Sequence, residues 1–150
     1  MPGLWFDQFE AGRVFRHEIR RTVTEMDNML FSSLTYNPAA IHIDHDYAAG
    51  TEFGKPLVNS IFTLGLVIGL SVQDTTLGTT VANLGMSETV FPKPVFAGDT
   101  IRAETEVMSL RPSSSRPGQG IVTFEHRGLN QRDELVCKTL RAALMMARPA

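Results

Sequence analysis

The sequence holds a single cysteine, Cys137, so no disulfide can form within the chain. Cys137 lies in an apolar-alternating stretch near the C-terminus, where an unpaired thiol is expected to pack in the core. Clusters of Lys or Arg are also missing, and the net charge is −2 with both signs interspersed. Phosphate backbones and anionic bilayers are held by clustered cations, so neither nucleic acid nor a membrane is an expected partner. No basic segment followed by an apolar one opens the chain, so no secretory signal is expected. The longest apolar-rich stretch, residues 57–72, is interrupted by Asn59, Ser60, Thr63 and Ser71. It falls short of the roughly 20 apolar residues that a bilayer span needs. These absences predict a soluble cytoplasmic protein. There is no internal repeat and no low-complexity tract.

What is present suits one ordinary domain over residues 1–150, with 43% hydrophobic and 20% charged residues. Residues 14–23 carry Phe15, Ile19 and Val23 among charged neighbours and predict a half-exposed first strand. Thr24 with Asp27 three residues on is a capping box with Asp in place of Glu or Gln. The helix it opens carries Met26, Met29, Leu30, Ser33 and Leu34 at the spacing of one buried face. Asn37-Pro38 ends it, because a residue before proline is driven out of the helical region.

A polar connection with one short helix around residues 46–49 leads to residues 56–72, apolar on nearly every side. That length is too great for a typical strand, so a buried central helix is predicted. Strand character follows over residues 79–90, then a proline-marked extended edge at residues 91–95, then alternation over 101–110. A Ser/Pro/Gly loop at 111–120 precedes two strands, 120–129 and 135–147. An early helix-rich half and a late strand-rich half predict an α+β fold: an antiparallel sheet packed on one long helix.

The run Asn37-Pro38-Ala39-Ala40-Ile41-His42-Ile43-Asp44 resembles the MaoC-like hydratase family, which includes the (R)-specific enoyl-CoA hydratases. Further matches, in family order, are Ala48-Ala49, the segment 54–60 that opens the central helix, and Phe91-Pro92-Lys93-Pro94-Val95 followed by Gly98-Asp99. The resemblance implies a hotdog fold, a curved antiparallel sheet wrapped around a central helix and assembled as a homodimer. It also implies a hydro-lyase, adding or removing water across the Cα=Cβ bond of an acyl-CoA, with the thioester as substrate and no cofactor. Two departures stand out. Asn59-Ser60 occupies the place of a usual His-Gly, and Asn37 replaces the aspartate that activates water. The second change resembles a subgroup of the itaconyl-CoA and mesaconyl-CoA hydratase kind, acting on short branched or dicarboxylic acyl groups.

Hydration of a 2-enoyl thioester needs a base for water, a proton for Cα and donors for the thioester oxygen. His42 suits proton transfer, its ordinary pKa lying near neutrality. Asn37 cannot be a base, but its amide can orient water or the imidazole. By the resemblance the oxygen's donor is the N–H of Ser60. Asn59 and Ser60 are good cap residues at the start of the helix, where free amides and the dipole favour developing charge. Asp44 either supplies a carboxylate to the site or caps the short helix after it. Arg111 and Arg116 flank the Ser-rich loop and are candidates for the CoA phosphates, a solvated loop face being the alternative. His42, Asp44, His45 and Asp46 lack a second cluster to complete a metal site, and none is expected. His17 and His126 read as solvated or structural. Two other functions stay open on this fold: a thioesterase, although residues 57–69 hold no Asp or Glu, and a non-catalytic acyl-CoA-binding module, suggested by the lost aspartate.

Overall fold

A computed structural model describes residues 3–149; Met1, Pro2 and Ala150 lie outside it. Strands β1 (Val14–Arg16), β2 (Arg21–Thr22), β3 (Thr80–Val90), β4 (Thr100–Pro112), β5 (Gln119–Leu129) and β6 (Leu135–Met146) form one antiparallel sheet in the order β1-β4-β5-β6-β3, with β2 also pairing β4. Helices α1 (Glu25–Leu34), α2 (Ala40–Ile43), α3 (His45–Ala49) and α4 (Ser60–Thr75) lie between β2 and β3. The expected antiparallel sheet on one long helix is what the chain forms. The alternation of β4 buries Ile101, Ala103, Thr105 and Val107 and turns Arg102, Glu104 and Glu106 outward, where Arg127 pairs with Glu106 and Glu125.

The inward faces of β4, β5 and β6 carry two apolar clusters. Val67 and Leu70 of α4 pack with Ile101, Ala103, Val136 and Cys137 in the first. Gly128 is required here, because a Cβ at that position would overlap Val67. The thiol of Cys137 is pushed up to about 11 by burial, so it behaves as a core group. Phe9 of the N-terminal segment closes the second cluster over Val107, Val122, Phe124 and Met145.

Joined to these inward faces is a chain of polar side chains. Arg141 Nε donates to His126 Nε2 at 3.0 Å, and His126 Nδ1 meets Thr105 Oγ1 at 2.8 Å. Thr105 Oγ1 meets His17 Nε2 at 2.9 Å, and His17 Nδ1 meets Asp74 Oδ2 at 2.7 Å. With both rings neutral, one proton order satisfies every ring nitrogen and Thr105: each donates towards Asp74, with the buried cation at one end, its Nη2 unpartnered among the described residues, and the partly exposed carboxylate at the other. Both histidines are therefore structural, not solvated. Residues 14–23 form two short strands, β1 and β2, instead of the one expected.

Two further expectations change. The face of α1 predicted to be buried is exposed: Met26 is 70% and Leu34 71% accessible, whereas Asn28 and Ser32 are buried. The reason is that α1 packs over backbone that needs hydrogen bonds, described below, and not over the apolar core. Residues 91–95 belong to no strand; they form an irregular connection from β3 to β4. The capping box is as predicted, Thr24 Oγ1 accepting from Asp27 N and Asp27 Oδ2 from Thr24 N.

Burial first, then the charge of Arg141, depress the pKa of His126 from 6.5 to about 3. Its folded value lies below its unfolded one, so the unfolded chain takes up the extra proton. Stability is expected to fall as pH drops from about 6.5 towards 3. Urea unfolding at pH 7 and pH 4.5 measures this, and His126→Gln should show the smaller acid loss of the two proteins.

Candidate active site

The site is built where α1, α2 and the start of α4 meet. Ser60 begins α4 because Asn59 caps it, its Oδ1 accepting from Ile61 N at 3.1 Å while Thr63 N bonds the Asn59 carbonyl. The N–H of Ser60 has no hydrogen-bond partner among the described residues. The helix opens four residues later than the apolar run because residues 56–58 are held extended: Leu57 N donates to Ile41 O and Val58 N to Val95 O.

His42 lies in the single turn of α2, half-buried. Its Nδ1 is 2.6 Å from Leu57 O. A carbonyl only accepts, so Nδ1 carries the proton and the neutral ring keeps its lone pair on Nε2. The residue that joins these pieces is Asn28, which is 4% exposed. Its Nδ2 donates to His42 O and to Leu57 O, each at 3.0 Å, and its Oδ1 accepts from Asn59 N at 2.9 Å. Ser32, one turn along α1, accepts from Asn59 Nδ2 at 3.3 Å. Sequence reasoning passed over Asn28; the available signal was an Asn in a helix interior, where its propensity is poor and a tertiary bond must compensate.

Two hollows flank residues 56–58. One, of about 70 Å³, is lined by Glu25, Asn28, Met29, His42, His45, Lys55, Pro56 and Ala97. The other, of about 230 Å³ and largely apolar, is lined by Phe53, Leu57, Ser60, Thr63, Phe91, Pro94 and Val136 among others, with Lys93 also on its wall. Asp99 holds the irregular 91–97 connection over these hollows, its Oδ2 accepting from Phe96 N at 2.9 Å while Val23 N donates to its carbonyl at 2.8 Å.

Of the sequence-predicted residues, the fold brings His42, Asn59 and Ser60 around this segment. Asn37 follows the left-handed Tyr36, φ 56°, at the end of α1; its Oδ1 accepts from Ala39 N at 3.0 Å. It lines a separate hollow with Ser32, Tyr36 and Ile43, so one protomer does not bring its amide into the His42 hollow. Asp44 is exposed and caps α3, its Oδ1 accepting from Tyr47 N at 2.9 Å. Arg111 pairs opposite Ile121 near the far end of β4, and Arg116 lies in the turn beyond it. The 13-residue strand spans roughly 40 Å from Thr100, so these cations are remote from both hollows of the same protomer. Lys55, whose ammonium stands 4.6 Å from the Phe96 ring centroid, and Lys93 are the cations at the hollows. His45 Nε2 faces Glu25 Oε1 at 3.6 Å, and no group of three metal-ligating side chains occurs among the described residues.

The MaoC like domain model matches residues 7–128. The chain belongs to the MaoC-like domain family. This MaoC-like domain is 33% identical over 146 residues to mesaconyl-CoA hydratase of Cereibacter sphaeroides, a match covering 97% of the chain and 42% of that protein. It is 35% identical over 102 residues to the (R)-specific enoyl-CoA hydratase of Aeromonas caviae, covering 68% and 73% respectively. A solved Mycobacterium tuberculosis protein described as having a double hotdog fold superposes with a TM-score of 0.86 at 27% identity, over 98% of this chain and 45% of that one. The fold is therefore the hotdog fold. The MaoC-like domain spans about two fifths of the mesaconyl-CoA hydratase. No helix among its described residues is long and apolar enough to cross a membrane.

Asn59→Ala removes the α4 cap and leaves Ser32 Oγ without its donor. A loss of about 1–2 kcal/mol in chemical denaturation is expected, whereas Asp44→Ala, at an exposed cap, should lose about 1 kcal/mol or less.

Proposed function

We propose that the domain binds an acyl-CoA thioester and works as a hydratase or dehydratase of a short, branched or dicarboxylic enoyl group. The observation that carries this reading is a histidine held through Nδ1 by the Leu57 carbonyl, with Nε2 free, and an unpartnered helix-start amide three residues beyond that carbonyl, the two lining hollows on either side of residues 56–58. His42 Nε2 takes a proton from water as its oxygen bonds to Cβ. The π electrons move to Cα and the thioester oxygen, where the Ser60 N–H and the α4 dipole stabilise the developing enolate. The same proton, returned from His42 to Cα, completes the addition, and dehydration is the reverse. The apolar hollow beside Ser60 suits the acyl group. The mesaconyl group named for one relative is a branched dicarboxylic acyl, in line with the Asn37 substitution.

Asn37 is not the base in this reading, since an amide does not titrate, and within one protomer it lines a hollow apart from that of His42. A thioesterase is less well supported: the sole acid on α4, Asp74, lies near its end and is bonded to His17. Two copies of the domain pairing through β3 form the working unit in this reading. That strand is a long edge with Val81, Leu84, Met86 and Val90 more than a third exposed, which is a liability if uncovered.

A panel of enoyl-CoA and 3-hydroxyacyl-CoA substrates, including branched C4 and C5 dicarboxylic members, tests the activity through enoyl absorbance. His42→Ala should lower kcat by ~10²–10⁴; an unchanged rate discards the assignment. Turnover of none of these by the wild type, with retained binding, would instead make the domain an acyl-CoA carrier, and free thiol release would make it a thioesterase. Asn37→Asp is expected to improve crotonyl-CoA hydration relative to wild type. Light scattering should report twice the 16.6 kDa chain mass, and Leu84→Lys should shift the population towards the single chain.

A further inference from the structure

The exposed apolar stripe of α1 and its buried polar face are the reverse of what a surface helix ordinarily presents, and Asn28 is the centre of that reversal. Its amide has two N–H donors, and both are used, on His42 O and Leu57 O; its oxygen is used by Asn59 N. The three partners belong to the turn carrying the histidine, the segment that holds its ring, and the cap of α4. The orientation of the amide is decided by these partners, because reversing it would set oxygen against two carbonyls and nitrogen against an N–H.

We infer that Asn28 is a positioning residue, selecting the Nδ1–H tautomer of His42 and keeping the ring in register with the free N–H at the start of α4. The inference rests on the proposed role of His42. Leu57 O has two lone pairs, and it receives Asn28 Nδ2–H and His42 Nδ1–H together. The Asn28 donor fixes where that carbonyl points; the carbonyl then fixes which ring nitrogen is protonated and the direction in which Nε2 faces. Because Asn28 Oδ1 also holds the Asn59 N–H, the ring and the helix start cannot shift separately. Neither leucine, with the same bulk and no polar atoms, nor aspartate, whose ionised oxygens would face two carbonyls, can do this. A misplacement of a reacting group by about 1 Å can cost on the order of 10²-fold in rate.

The test uses the full chain, Asn28→Leu and Asn28→Ser, and reads the His42 ring directly. Long-range ¹H–¹⁵N spectra of the neutral imidazole should show the Nδ1–H form in wild type and a shift towards Nε2–H in Asn28→Leu. On the best substrate of the panel, Asn28→Leu should lower kcat by about 10–100-fold with KM within about twofold. In a cycle with His42→Ala, adding Asn28→Leu should lower the residual rate by less than about threefold, since a residue acting through His42 has nothing left to position. Asn28→Ser, smaller and still able to donate once, should fall between wild type and Asn28→Leu, and it carries the test if Asn28→Leu does not fold. A folded variant that keeps the Nδ1–H tautomer, or losses that simply multiply in the cycle, overturns the inference. If wild type turns over no acyl-CoA, the hydratase reading fails while the ring spectra still decide the tautomer.

Discussion

One backbone carbonyl, that of Leu57, organises the end of the molecule where α1, α2 and α4 meet. It receives the ring N–H of His42 and an N–H of Asn28, and it stands three residues before the first turn of α4. A carbonyl in an extended segment has a fixed direction only if the segment is fixed, and here three bonds do that: Leu57 N to Ile41 O, Val58 N to Val95 O and Asn59 N to Asn28 Oδ1. The helix, the histidine turn and the β3–β4 connection are thereby tied to one short stretch of chain. Its polarity explains the orientation of α1, which must offer Asn28 and Ser32 inward and so turns its apolar residues out.

The rest of the fold separates packing from chemistry. Val67 resting on Gly128 brings α4 close to the middle of the sheet, and Phe9 covers the second cluster. The chain from Arg141 through His126, Thr105 and His17 to Asp74 shows how a buried cation and two buried imidazoles can be held: every ring nitrogen has a partner, and the order of protons runs one way. His126 is kept neutral there, whereas His42 is half-exposed, in a hollow with Lys55, Glu25 and His45 around it. One residue type thus sits in two kinds of environment.

Membership of the MaoC-like domain family and the hotdog fold bear on how a chain of this length could operate. The Mycobacterium tuberculosis protein that superposes well carries a double hotdog, of which this domain matches 45%. The hollow holding Asn37 is distinct from that holding His42 within one protomer, so a contribution of Asn37 to the reaction would depend on what lies against that surface in such an assembly.

Short-range chemistry made much of this legible from the sequence alone. The Thr24–Asp27 capping box, the Asn59 cap and the alternation of β4 each depend on neighbours within a few residues, and each lies where the residues predict; the stop of α1 falls at Thr35, short of the predicted Asn37-Pro38. The long apolar helix was legible too, because its composition leaves it no place but the interior, though its start was not. Motif order carried the family and marked His42. Tertiary structure alone decided the rest. The periodicity of α1 cannot say which side faces a partner when the partner is hydrogen-bonding backbone, so its buried face was misread and Asn28 was missed. Asp44 became a cap, and Arg111 and Arg116 went to the far end of β4, because strand length and pairing, not sequence proximity, set their distance from Ser60. Bonds between residues 28, 42, 57 and 59 close loops whose geometry no local pattern encodes; the direction of the His42 ring follows from them.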